Sequence, residues 1–351
     1  MKFFVYLIAI FIFPFTSISQ NIKLSALSAF YKPAENPILK ADSTLAFYDS
    51  LKKQYVKWQR ADVFNPAAIV KNGRVYLFTR SEDNPAAILG GRTSRIGLAV
   101  SDDGIHFKNF PTPVLYPDDS KYKKYDYPGG CEDPRVVQTA DGRYVMAYTS
   151  WNYDVPRLSV AISTDLFHWN KKGPAFATAY HGKFLNMASK SVSMITKMKN
   201  GRPVLAKIKG KYWMYWGEHF VNLAWSTNLS DWNPLLDEAG DLRKIMVTRT
   251  GKFDSDLTEC GPPAIVTDKG RADPLLPKGT YSVGEVVFDI NNIGKIISRT
   301  DTCILKPTLQ NEVTGQYKAG TVFSEGLVYF KGQWFLYYGT ADSFIGVAIA
   351  K

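Results

Sequence analysis

The chain has 351 residues, 45% of them hydrophobic and 14% aromatic, and its 43 Lys and Arg against 32 Asp and Glu give a formal net charge of +11. That composition is too apolar and too aromatic for a disordered protein, and the length suffices for a large buried core. The basic residues are dispersed, without a run of five or six and without a nucleic-acid-reading motif, which argues against a nucleic-acid partner.

At the start of the chain, Met1-Lys2 gives a short positive end, Phe3 to Phe15 is apolar except for Pro14, and Thr16-Ser17-Ile18-Ser19-Gln20 offers small residues for cleavage. This predicts a secretory signal peptide over residues 1–20, and with it a periplasmic or extracellular location. At ~1.5 Å per residue the apolar run reaches about 20 Å, short of the ~30 Å hydrocarbon core, so no stable membrane span is expected. Residues 21–60 read as an N-terminal extension packing on the main domain, with Ser43 to Trp58 the one stretch of helical period. Cys131, Cys260 and Cys303 are too few and too odd in number to build a disulfide framework.

From residue 61 to 351 the chain repeats. One phrase reads Gly73-Arg74-Val75-Tyr76-Leu77-Phe78, then Gly142-Arg143-Tyr144-Val145-Met146, then Gly210-Lys211-Tyr212-Trp213-Met214-Tyr215, and last Gly332-Gln333-Trp334-Phe335-Leu336-Tyr337. A second phrase follows the first three: Leu98-Ala99-Val100-Ser101-Asp102-Asp103, Val160-Ala161-Ile162-Ser163-Thr164-Asp165 and Leu223-Ala224-Trp225-Ser226-Thr227-Asn228. Short apolar runs rich in Val, Tyr, Trp and Phe and closed by Gly, Asn or Asp are strands ending in turns. The first three starts lie about 65 to 70 residues apart and the last lies about twice that beyond the third, leaving room for one less obvious copy. The spacing predicts an all-β, five-bladed β-propeller over residues 61–351. Its fourth unit, from Pro262-Pro263-Ala264 to Tyr281-Ser282-Val283-Gly284, shows no second aromatic strand and is expected to be one strand short.

A propeller presents loops and strand ends at the mouth of its channel, so polar residues there can face a ligand. Gly130-Cys131-Glu132-Asp133-Pro134-Arg135 is the densest acidic site, Glu218 ends the aromatic strand of the third unit, and Glu259 lies in Asp254-Ser255-Asp256-Leu257-Thr258-Glu259. The last segment lacks calcium-loop spacing, so neither a metal nor an organic cofactor is expected. His106 and His168 sit at equivalent repeat positions, where packing under a turn is expected. No His-Glu-x-x-His, Gly-x-Ser-x-Gly, phosphate-cradling or Cys-x-x-Cys motif is present. Carboxylates with aromatics remain, the equipment for glycosidic bonds.

These residues resemble a known family. Phe64-Asn65-Pro66-Ala67, Arg92-Thr93-Ser94-Arg95-Ile96-Gly97, Gly130 to Arg135, Thr314-Gly315-Gln316-Tyr317, Glu325-Gly326-Leu327-Val328 and Tyr337 to Ser343 are similar, in order, to the motifs of glycoside hydrolase family 130. The resemblance implies a five-bladed propeller acting on β-mannosides, with water in some members and phosphate in others. It implies that Asp133 is the general acid, passing its proton through a mannose hydroxyl, and that Asn65, Arg80, Arg95, Lys190, Tyr281 and Asp342 line the mannose site. Glu218 and Glu259 match the two glutamates of the hydrolase branch, so they are the expected base pair. In the segment that is Arg-rich in phosphorylases, Lys190 stands alone in Met187-Ala188-Ser189-Lys190-Ser191, and a carboxylate beside a phosphate would repel it by several kcal/mol. The expected activity is therefore an exported, inverting β-mannosidase cleaving β-1,2-linked mannooligosaccharides. A phosphorylase releasing mannose 1-phosphate and a non-catalytic mannoside-binding propeller stay open as alternatives.

Overall fold

The computed structural model describes residues 30–87, 91–265 and 279–351. The predicted signal peptide lies outside them, as does part of the irregular fourth unit. The strands are β1 (Phe47–Asp49), β2 (Gln54–Val56), β3 (Asp62–Lys71), β4 (Arg74–Glu82), β5 (Ser94–Ser101), β6 (Lys108–Asn109), β7 (Gly130–Gln138) and β8 (Tyr144–Trp151). They continue as β9 (Arg157–Ser163), β10 (Asn170–Pro174), β11 (Val192–Lys199), β12 (Arg202–Leu205), β13 (Lys207–Ile208), β14 (Lys211–Trp216), β15 (Phe220–Ser226) and β16 (Asn233–Pro234). The remainder are β17 (Lys244–Val247), β18 (Ala264–Ile265), β19 (Val286–Asp289), β20 (Asn292–Arg299), β21 (Phe323–Phe330), β22 (Gln333–Thr340) and β23 (Phe344–Ala350). A single α-helical turn, Lys123–Asp126, is present among the described residues.

The fold is an all-β propeller. Antiparallel meanders repeat along the chain as β3-β4-β5-β6, β7-β8-β9-β10, β11-β14-β15-β16 and β21-β22-β23. Both faces of each sheet must then be covered, and five apolar clusters do this by joining each unit to the next. Ala67, Phe78 and Leu98 pack on Val136, Tyr144 and Met146; Val145 and Leu158 pack on Met194, Met214 and Trp216. Tyr215 and Leu223 meet Phe288 and Ile296, Leu305 meets Leu327 and Leu336, and Phe335 and Val347 return to Val75 and Leu77 of the first unit. Val70 of β3, Val136 of β7, Pro263 beside β18 and Leu327 of β21 line one small cavity where these units approach.

The fourth unit is irregular as expected. β18 pairs parallel with β11, and the β19–β20 hairpin forms its own sheet with two register shifts. Where the predicted gap falls on residues 266–278, it lies outside the described residues.

Two local expectations are corrected. The Ser43–Trp58 stretch is not helical: Phe47-Tyr48-Asp49 alternates buried, exposed, buried and pairs with β2 through Tyr48 opposite Tyr55. Period-2 burial and a left-handed Lys53 (φ 53°) at the turn win over the helical spacing. His106 and His168 do not pack under their turns. Their rings are 75% and 90% exposed, and each donates from Nδ1 to the carboxylate three residues earlier, Asp103 and Asp165, at 2.7 Å.

Candidate active site

The first strand of a unit would run straight past the channel mouth if its ladder were unbroken. Asn65 and Asp133 break it. Each has left-handed backbone (φ 49°), each precedes a proline with no N–H to offer, and at each the register slips, between Phe64 and Pro66 and between Glu132 and Arg135. The bulge brings the two side chains together: Asn65 Nδ2 donates to Asp133 Oδ1 at 2.8 Å. Gly339 of β22 permits this approach, because a Cβ there would lie 2.2 Å from Asn65 Oδ1.

Arg80, near the end of β4, organises the acid side. Its Nη1 donates to Asp133 Oδ1 (3.2 Å), its Nη2 reaches Glu82 (2.8 Å) and Glu132 (2.9 Å), and its guanidinium covers the Phe64 ring. Burial pushes the Asp133 carboxyl up, but Arg80, Lys190 and the Asn65 hydrogen bond outweigh it and hold Asp133 well below the usual carboxylate range. Glu132 is driven the other way, because burial exceeds its attraction to Arg80.

A glutamate pair feels the same Lys190 charge as this group. Glu218 occupies the β14–β15 turn after left-handed Gly217, and Glu259 is hydrogen-bonded to it and to Ser191 Oγ, which donates at 2.9 Å. Burial, then the hydrogen bond and like charge of Glu218, push the Glu259 carboxyl up to about 8. Lys190 lies between the two groups: its Nζ is 3.9 Å from Glu218 Oε1, and its charge is felt by Asp133, Glu132 and Glu218. Asp342, in the β22–β23 turn with φ 52°, is pushed up to about 6 by burial against the pull of Arg80. Tyr281, edge-on to Tyr317 and Phe323, is within electrostatic reach of Glu259, Asp342 and Glu218.

Eight of the nine expected site residues therefore form one electrostatic cluster. Arg95 is the exception and is corrected here: its side chain has no accessible surface, pairs with Asp49 (2.7 Å) and Asp83 (3.0 Å), and covers the Phe47 ring. It anchors the β1–β2 hairpin behind the cleft and cannot line it. Asp254, read with Asp256 and Glu259 as a loose acidic set, instead accepts from Arg249 and pairs with Arg299.

Three neighbours were given no site role by the sequence reading, although Arg135 and Glu325 stand in the motifs quoted above. Glu82, fully buried, receives Arg80 and Arg92 (3.0 Å); its signal was the Arg80-x-Glu82 spacing, which puts both side chains on one face of a strand. Arg135 is 1% exposed and donates to the carbonyls of Asp133 (3.4 Å), Cys260 (3.2 Å) and Gly261 (3.2 Å), tying the acid's bulge to the segment that carries Glu259. Glu325, on the first strand of the last unit, is wholly buried and pairs with Arg135.

Clustered carboxylates among aromatic side chains on an all-β propeller are an arrangement suited to glycosidic-bond chemistry. The family model described as β-1,4-mannooligosaccharide phosphorylase matches residues 31–351, and the chain belongs to glycoside hydrolase family 130. It is 33% identical to the 1,2-β-oligomannan phosphorylase of Thermoanaerobacter sp. (strain X514), over 84% of this chain and 92% of that protein. Among solved structures it is similar to a Bacteroides thetaiotaomicron protein provisionally classed as a glycosidase, with 50% identity, 93% and 97% coverage and a TM-score of 0.89. Another, at 46% identity, 91% and 93% coverage and a TM-score of 0.86, was reported with the finding that the family contains glycoside hydrolases targeting β-1,2 mannosidic linkages in Candida mannan.

Proposed function

We propose that the protein hydrolyses β-1,2-linked mannooligosaccharides with inversion. The observation that carries this reading is the hydrogen-bonded Glu218–Glu259 pair sharing Lys190's field with Asp133, with Arg80 and Lys190 already engaged by carboxylates. A phosphate nucleophile needs unengaged cations, whereas water needs a base.

We give the two glutamates different roles. On this reading Glu259, whose carboxyl is pushed up by burial and by Glu218, carries the pair's proton and hydrogen-bonds its neighbour. Glu218, 35% exposed and loosely paired with Lys190, is the group placed to take a proton from water. The water oxygen bonds to the anomeric carbon as the glycosidic bond breaks, and the leaving oxygen takes a proton that originates on Asp133. Asp133, held ionised by Arg80, Lys190 and Asn65 in the free cleft, takes that proton from solvent as substrate binds and desolvation raises its proton affinity, and Glu218 returns water's proton to solvent after turnover.

Product analysis on β-1,2-mannobiose with and without phosphate tests the reading. Free mannose in both conditions is expected, and mannose 1-phosphate in the phosphate arm would establish the phosphorylase alternative, which the named activity of the Thermoanaerobacter relative favours. Asp133→Asn and Glu218→Gln are each expected to cut kcat by at least about a hundredfold while oligosaccharide binding persists. We read residues 1–20 as a signal peptide; N-terminal sequencing of the protein recovered from outside the cytoplasm would find the mature chain starting near residue 21.

A further inference from the structure

The turns between second and third strands deliver side chains to the cleft mouth. In the third unit that turn carries Glu218, beside left-handed His219 (φ 63°); in the last unit it carries Asp342 (φ 52°). In the second unit the same connection, from Trp151 at the end of β8 to Arg157 at the start of β9, carries Tyr153 (φ 67°).

A tyrosine is an unusual occupant of this place, because its ring is 43% exposed and yet fixed from several sides. Its hydroxyl donates to the Arg92 carbonyl at 3.1 Å, and its ring lies edge-on to Trp151 with centroids 6.0 Å apart. The turn beneath it is tied by Asn152 Oδ1, which accepts from the backbone N–H groups of Asp154 (3.2 Å) and Val155 (3.0 Å). The Arg92 side chain pairs with Glu82, and the Tyr153 phenol is within electrostatic reach of Asp83, Glu132 and Glu82, the last two of which pair with Arg80. A flat, pre-positioned, water-exposed ring on a turn equivalent to those carrying Glu218 and Asp342 suits the C–H face of a pyranose, since covering it removes apolar surface from water at a small ordering cost.

We propose that Tyr153, seated on Trp151, is a stacking platform for a second sugar residue, on the side of the leaving group. This rests on the mannooligosaccharide reading of the same cleft. The test is calorimetric titration of β-1,2-mannotriose and of free mannose into Glu218→Gln protein, alone and combined with Tyr153→Ala or Tyr153→Phe. Tyr153→Ala is expected to weaken mannotriose about tenfold, as for uncovering about 50 Å² of ring face, and to change mannose less than about twofold. Tyr153→Phe, which keeps the ring, is expected to stay within about threefold of the parent for mannotriose. Unchanged mannotriose affinity in Tyr153→Ala, or an equal loss for mannose, would overturn the platform while leaving the substrate reading intact. Failure of the parent to bind mannotriose would overturn both.

Discussion

Two carboxyls of one cleft are driven in opposite directions, and each direction has a consequence for pH. Glu259 holds in the folded state a proton that the unfolded chain releases above the ordinary glutamate range, so its stabilising contribution is full at low pH and is lost as pH rises through about 8. Asp133 is the reverse: its contribution is present above the ordinary aspartate range and is lost as pH falls through its depressed value. Glu259→Gln replaces the carboxyl with a hydrogen-bonding amide and removes the titration, so thermal melts between pH 6 and pH 9 are expected to show a smaller loss of Tm than in the parent, equivalent to a few kcal/mol. The same variant is expected to retain activity within about tenfold and to lose the alkaline fall of kcat, whereas Glu218→Gln abolishes turnover; equal, complete loss in both would reject the division of roles. Arg135 makes a second residue-scale prediction. Removing its charge leaves the buried Glu325 without its partner, so Arg135→Met should cost about 3–5 kcal/mol in denaturant unfolding, and adding Glu325→Gln should restore most of that. Of this site, Asp133 and the two glutamates were legible from motif and family resemblance. Arg95 was not separable from Arg80 by sequence, because both are strand arginines at family-like positions, and only the path of the β1–β2 hairpin places one behind the cleft.

The repeated second phrase codes for more than a strand. Ser163 Oγ accepts from the N–H groups of Asp165 (3.1 Å) and Leu166 (2.9 Å), and Asp165 Oδ1 accepts from those of Phe167 (2.8 Å) and His168 (2.9 Å). The same pattern recurs with Ser101 and Asp103, and with Ser226 and Asn228. Each turn thus satisfies its own backbone donors and lets the chain leave the third strand without an orphan N–H. Ser163, buried at 3% exposure, is therefore expected to cost about 1–2 kcal/mol when replaced by alanine, read as a shift in the urea midpoint. An unchanged midpoint would mean that water reaches those N–H groups. The strands and turns were legible because Val, Tyr and Trp runs closed by Ser-x-Asp signal them locally. The bulges at Asn65 and Asp133 were signalled only by the following proline, and their shared direction into the channel depends on units that meet far apart in sequence.

At the scale of the whole molecule, the apolar clusters between successive units make a closed ring, so the joint between the last unit and the first decides whether it holds. That joint is made twice. Phe335, Tyr337 and Val347 pack on Val63, Val75 and Leu77, and the segment around residues 31–39 runs antiparallel along the outer edge of β23, bridging Tyr31 to Ile349 and Leu39 to Ile345. Asn36 imitates a ladder residue there: its Nδ2 donates to the Val347 carbonyl and its Oδ1 accepts the Val347 N–H, both at 2.8 Å. Lys32 adds a pair with the buried Glu312. An uncovered β23 would leave a row of unpaired backbone groups on an apolar edge, the arrangement most prone to pairing with another chain. Asn36→Ala removes both Val347 bonds at once and is expected to cost about 2 kcal/mol and a few °C in Tm. Because each sheet is covered on both faces by its neighbours, the loss should appear as an earlier but still single unfolding transition. A separate low-temperature step confined to the last unit would show instead that the N-terminal segment is an ornament on a ring already closed by its cores.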